Sequence, residues 1–232
     1  MTRYDSLREK LLDRNRYDRF FRSLRYCLYV IVHPFDGFWD LTHEKRGSLA
    51  AANVIVFLSL LTRILRLQYT SFLFLNVYWP RVNILQQIIS VLLPLAVFCL
   101  GNWGLTTLFD GKGRLKDVYI GTAYAMTPSV LLQLPMIILS NAITADEGAF
   151  YMVLDSVAMV WAGFLIVIAM MMIHDYSFGK TILFTVMSIF SMLVIVFLIL
   201  LFFNLVINGI NYFVSLYREI TFRLYLRKER LR

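Results

Sequence analysis

Apolar positions run along this chain in long blocks separated by short polar connections, too long to belong to an ordinary soluble core. A spanning helix needs about 20 mostly apolar residues, because the hydrocarbon layer is about 30 Å thick and a helix rises about 1.5 Å per residue. The first block, 48–67, is uncharged up to Thr62, and Arg63 and Arg66 extend it by snorkelling to the far headgroups. The second, 83–108, is uncharged, with Pro94 as a kink. The third, 118–143, holds Pro128 and Pro135, and the fourth, 150–173, contains Asp155. The fifth is uncharged from Thr181 to Tyr217, too long for one untilted span. It is read as a span ending at Asn208 and an amphipathic helix over 209–226, in which Ile210, Phe213, Val214, Tyr217, Ile220 and Leu224 form the apolar stripe. Between the first two spans, Tyr69, Phe72, Phe74, Tyr78 and Trp79 suit an interfacial loop.

The predicted fold class is therefore all-α: a polytopic membrane helical bundle of about five transmembrane helices, with interfacial amphipathic helices at both ends. Its expected parts are a charged segment over 1–46, a membrane domain over 47–208 and a basic amphipathic tail over 209–232. Charge throughout residues 1–25 leaves no apolar core for a cleavable leader, so the first span is expected to act as the insertion signal.

Composition agrees with a lipid solvent. Apolar residues make up 59% of the chain and charged ones 16%, against roughly 45–50% and 25% in soluble domains. That excludes disorder, and two cysteines exclude a disulfide framework. The net charge of +8 points to membrane surface charge rather than to nucleic acid, because Asp5, Glu9, Asp13 and Asp18 are interleaved with the amino-terminal cations. The segment before the first span carries ten Lys or Arg residues, and Lys112, Arg114 and Lys116 follow the second span. The connection with Asp146 and Glu147 carries none. This asymmetry predicts a cytoplasmic amino terminus. The basic carboxy-terminal tail conflicts with it, since five crossings put Arg218, Arg223 and their neighbours outside; either the tail is an exception or the long fifth segment re-enters and makes the count even.

Tyr17, Phe20, Phe21, Leu24, Leu28 and Ile31 share one helical face, with Arg16, Arg19, Arg22 and Arg25 around the rest. Such a helix either lies in the lipid interface or packs on the bundle. The next segment is His33-Pro34-Phe35-Asp36-Gly37-Phe38-Trp39-Asp40-Leu41. Pro34 breaks the helix at His33, and Phe35, Phe38, Trp39 and Leu41 are expected to anchor at the bilayer surface. His33, Asp36, Asp40 and His43 could be assembled as a metal site on paper; hydrogen-bonded interfacial polar groups are the preferred reading, and no metal or cofactor is expected.

Catalytic signatures are weak. Gly111-Lys112-Gly113 lacks P-loop spacing and reads as a tight turn between two spans. The histidines at 33, 43 and 174 form no zinc motif, and no nucleophile elbow occurs. Asp155 is the one acid well inside a span; it is either a relay for a proton or substrate or one end of a structural polar contact. Gly121 with Ala125, and Ala158 with Ala162, offer small-residue faces for internal packing or for a homo-oligomer.

The segment from Gly111 through Arg114 and Asp117 to Val118, leading into Ala123-Tyr124-Ala125-Met126-Thr127-Pro128, resembles the core signature of the Yip (Ypt-interacting protein) family. The 33–41 motif with Glu44, Lys45, Arg46, Gly47 and Ser48 looks like the corresponding amino-terminal segment of its bacterial branch. The resemblance covers about 26–208. It implies a five-span bundle with a cytoplasmic amino terminus, in the inner membrane of a bacterium. Eukaryotic members look like small-GTPase-binding trafficking proteins, but this chain lacks their long polar amino-terminal region and acidic motif, so GTPase binding is not carried over. No catalytic residue comes with the family. The expected role is a non-enzymatic scaffold or adaptor that contacts membrane lipids and a membrane-protein partner; the alternative is a transporter or its accessory subunit.

Overall fold

A computed structural model of the chain describes residues 14–75, 77 and 82–230, with side chains described over 17–75, 77 and 82–223. The first thirteen residues, Tyr78, Trp79, Leu224 and the last cations lie outside the described side chains.

Eight α-helices carry the described fold: α1 (Arg14–Val32), α2 (Pro34–Thr42), α3 (Leu49–Tyr69), α4 (Ile84–Thr107), α5 (Leu115–Ala125), α6 (Thr127–Leu139), α7 (Gly148–His174) and α8 (Phe178–Arg230). Among the described residues no strand occurs. Five helical stretches are long and apolar enough to cross a membrane: α3, α4, α5 with α6, α7 with its preceding 3-10 turn, and α8. Local chemistry sets their ends. The Ser48 hydroxyl accepts the Ala51 N–H at 3.1 Å and opens α3, and the Asn83 side chain accepts the Leu85 N–H at 2.9 Å and opens α4. Asp175, at φ 53°, closes α7 in the left-handed conformation.

The third crossing is two helices rather than one. Pro128 has no N–H to give the Tyr124 carbonyl four residues back, and the Thr127 hydroxyl donates to that carbonyl instead, at 2.7 Å. The chain pivots at Met126 with the Tyr124 carbonyl satisfied. The fifth segment departs from expectation too, since α8 passes unbroken through Asn208 and Gly209. A glycine inside a helix costs only about 1 kcal/mol relative to alanine, and neither a proline nor a cap stands there to stop it.

Helix α7 is central, packing on α2, α5, α6 and α8, while α8 leans mainly on α4. The core sits toward one end of the bundle. There Val30, Phe38, Ala51, Ala52, Val118, Ala123, Tyr124, Leu165 and Ala169 are fully buried. The alanines let backbones approach closely, which in lipid replaces a hydrophobic driving force. Gly121 belongs to the same packing: a Cβ there would meet Ile173 at 2.5 Å and Ala169 at 3.5 Å.

Candidate functional site

Both motif segments converge on this end, which we call the motif end. Helix α1 presses Ser23, Cys27 and Val30 into the bundle, and α2 folds back against it across the break at His33. Gly37 makes that fold possible, because a Cβ would lie 2.9 Å from Val30 Cα. Of the expected surface anchors, Phe35 and Trp39 are exposed, but Phe38 and Leu41 are buried. The reason is helical spacing: 38 and 41 lie on the face of α2 that meets α7. Of the six residues read as one apolar face of α1, Phe20, Leu24 and Ile31 pack against the core, while Tyr17, Phe21 and Leu28 stay exposed. The packed face of α1 is instead rotated toward Ser23 and Cys27.

A polar knot ties these pieces together. Tyr124, fully buried in α5, approaches the Ser23 carbonyl at 2.9 Å and the Ser23 hydroxyl at 2.8 Å. The Ser23 hydroxyl also reaches the Arg46 carbonyl at 2.9 Å. Two hydroxyl protons thus serve three contacts, joining α1, α5 and the 44–48 connection. Beside it the Tyr26 hydroxyl donates to Asp40 at 2.8 Å, and Arg46 pairs with Asp40 at 3.1 Å while lying over the Tyr26 ring. Burial, then the Asp40 carboxylate, pushes the Tyr26 phenol well above its ordinary value. Burial also raises the Cys27 thiol.

The four groups considered for a metal hold separate contacts. His33 stacks on Tyr29 at 4.8 Å, Asp36 is exposed, Asp40 is engaged by Tyr26 and Arg46, and His43 stacks on Trp39 at 3.6 Å. Among the described residues no three His, Cys, Asp or Glu side chains converge.

The glycine turn has a specific reason in space. A Cβ on Gly111 would meet the Thr106 carbonyl at 2.8 Å and His174 Nδ1 at 2.9 Å, and one on Gly113 would collide with Ile173 and the His174 ring. The backbone must pass close because the Gly113 N–H donates to His174 Nδ1, at 3.2 Å. Since Nδ1 accepts, Nε2 carries the proton and donates to the Asn102 side-chain oxygen at 2.9 Å. Asn102 donates onward to the Ser188 hydroxyl at 3.0 Å. The chain Gly113–His174–Asn102–Ser188 locks the turn to α7, α4 and α8. Above it Lys112 pairs with Asp175 at 2.9 Å, and Asp117 accepts the Arg114 N–H at 3.4 Å to open α5.

At the opposite end, Asp155 of α7 takes both guanidinium nitrogens of Arg66 in α3, at 3.0 and 2.9 Å. Arg66 therefore does not snorkel to headgroups; a fork-to-fork pair satisfies both groups better than a lone cation in the interface. Arg63 donates to Gln87 at 3.3 Å. Nearby, the Ser71 N–H donates to Ser140 at 3.1 Å and Asn141 donates to the Tyr69 carbonyl at 2.7 Å, so the connections after α3 and α6 share this end.

Sequence reading missed Asn102, Ser188, Ser23 and the partner of Asp155. For Asn102 and Ser188 the available signal was an uncharged polar residue inside an apolar span, which lipid forces to find a partner.

No curated protein and no solved structure matches the chain. A family model does: the Yip1 domain matches residues 28–210. That match takes in both motif segments, the first four crossings and α8 as far as residue 210, and the chain belongs to the Yip1 domain family.

Proposed function

We propose that this membrane protein is a non-enzymatic scaffold or adaptor, acting through lipid and protein contacts in the inner membrane of a bacterium. The observation that carries the reading is α8. Its 53 residues span about 80 Å, while a bilayer's hydrocarbon covers about 30 Å. Its side chains stay apolar and exposed far past the bundle, through Phe203, Phe213 and Tyr217. An apolar helix face that lipid cannot cover needs another protein surface. Tyr124 and Asp40 of the two motifs, by contrast, are engaged by Ser23, Tyr26 and Arg46 and serve to hold the bundle's shape.

A photo-crosslinking residue placed at Phe213 in native membranes tests the reading. The expected result is one adduct of discrete mass, lost when the exposed neighbours Ile210 and Tyr217 on the same helix face are both changed to lysine. Crosslinks to lipid alone would overturn it.

A further inference from the structure

An open groove of about 1790 Å³ runs at the motif end between α1 and the segment over 44–48 with Ala50 of α3. It is larger than the roughly 300–1,000 Å³ of small-molecule sites. Five cations line it, Arg19, Arg22, Arg25, Lys45 and Arg46, against the single carboxylate of Glu44. Arg46 is engaged by Glu44 and by Asp40 behind it. Among the described residues no carboxylate pairs with Arg22, Arg25 or Lys45; Arg22 donates only to the Asp18 backbone carbonyl. The same groove has apolar walls, since Phe21, Leu28 and Val32 line it and are 61%, 49% and 71% exposed.

Its depth is fixed by α3. That helix has 21 residues, about 31 Å and so about one hydrocarbon thickness. Its first turn therefore lies at the edge of the hydrocarbon, and the cations of the 44–48 segment lie at headgroup level. A cluster of cations at headgroup depth over exposed apolar side chains complements a molecule with an anionic head and a hydrocarbon tail. Water suits the cations but not Phe21 or Val32, and a neutral lipid leaves the cations without counter-charge.

We propose that this groove binds one anionic phospholipid, its phosphate among Arg22, Arg25 and Lys45 and an acyl chain along the apolar side of α1. The proposal rests on the scaffold reading and deepens its lipid contact. It places the bound lipid where α1 meets the knot of Tyr26, Asp40 and Arg46, so the lipid holds α1 against the bundle.

Native mass spectrometry of the full chain in mild detergent, titrated with dioleoyl phosphatidylglycerol or dioleoyl phosphatidylcholine, tests it. Phosphatidylglycerol is expected to be retained at least about tenfold more tightly. At about fivefold per cation, the triple variant R22Q/R25Q/K45Q weakens that retention about a hundredfold, with an unchanged circular-dichroism spectrum. Should that variant fail to fold, Phe21→Gln at an exposed position serves instead: it weakens dioleoyl but not dihexanoyl phosphatidylglycerol. Equal retention of the two lipids, or a triple variant that folds and keeps the preference, would overturn the proposal. So would displacement by millimolar inorganic phosphate, which would assign the site to a free anion. A discrete α8 adduct without lipid preference sinks this proposal alone, and lipid preference without an adduct sinks the adaptor reading alone.

Discussion

Arg66 and Asp155 show how one contact decides the meaning of a residue. An aspartate in a span is costly unless a partner stands beside it, and here both oxygens are met by one guanidinium. The arrangement favours a structural contact over a relay. Asp155→Asn and Arg66→Gln should each lower stability by about 2 kcal/mol, and the double variant by less than the sum, a coupling that a detergent unfolding cycle measures. Additive losses would separate the two residues. Tyr26 makes a second prediction, set by pH. Its phenol titrates higher in the folded chain than in the unfolded one, through burial and Asp40. The stability it contributes is complete below about pH 10, the unfolded value, and is lost as pH rises through the folded value. Tyr26→Phe should cost about 1 kcal/mol at pH 8, and its gap from the parent should close above pH 10 in thermal melts.

At the scale of elements, what was legible in the sequence is what depends on length and composition. Five apolar blocks announced five crossings, because lipid demands about 20 apolar residues whatever the neighbours are. The break at His33 followed from Pro34. The pairings across the bundle were not legible: Arg66 and Asp155 lie 89 positions apart, and nothing local to either marks the other. The burial of Phe38 escaped too, since an amphipathic helix of nine residues reads the same facing lipid or α7. The glycine turn was seen as a turn, but its cause, the His174 ring, stands 61 residues downstream. Gly113→Ala should cost about 1–3 kcal/mol by overpacking against Ile173 and His174. Gly179→Ala, with open space around it, is the control in the same melts and should cost nothing.

For the molecule as a whole, the two ends differ in charge. Lys45, Arg46, Lys112, Arg114, Lys116 and Lys180 flank the motif end; the other end holds Arg63, the mutually neutralised pair Arg66 and Asp155, and Asp146 and Glu147. On the positive-inside rule we propose that the motif end faces the cytoplasm. The basic residues Arg218 and Arg223 at the far end of α8 pull against that placement. The central claim is that the proline-pivoted α5 and α6 together make one crossing, the third. Single cysteines at Lys45, Lys112 and Asp146, labelled in sealed vesicles with a membrane-impermeant maleimide, test it most directly. Native Cys27 and Cys99 are buried and give a low background. The account predicts that 45 and 112 react from the cytoplasmic face and 146 from the opposite face alone; labelling of 112 and 146 from the same face would contradict it.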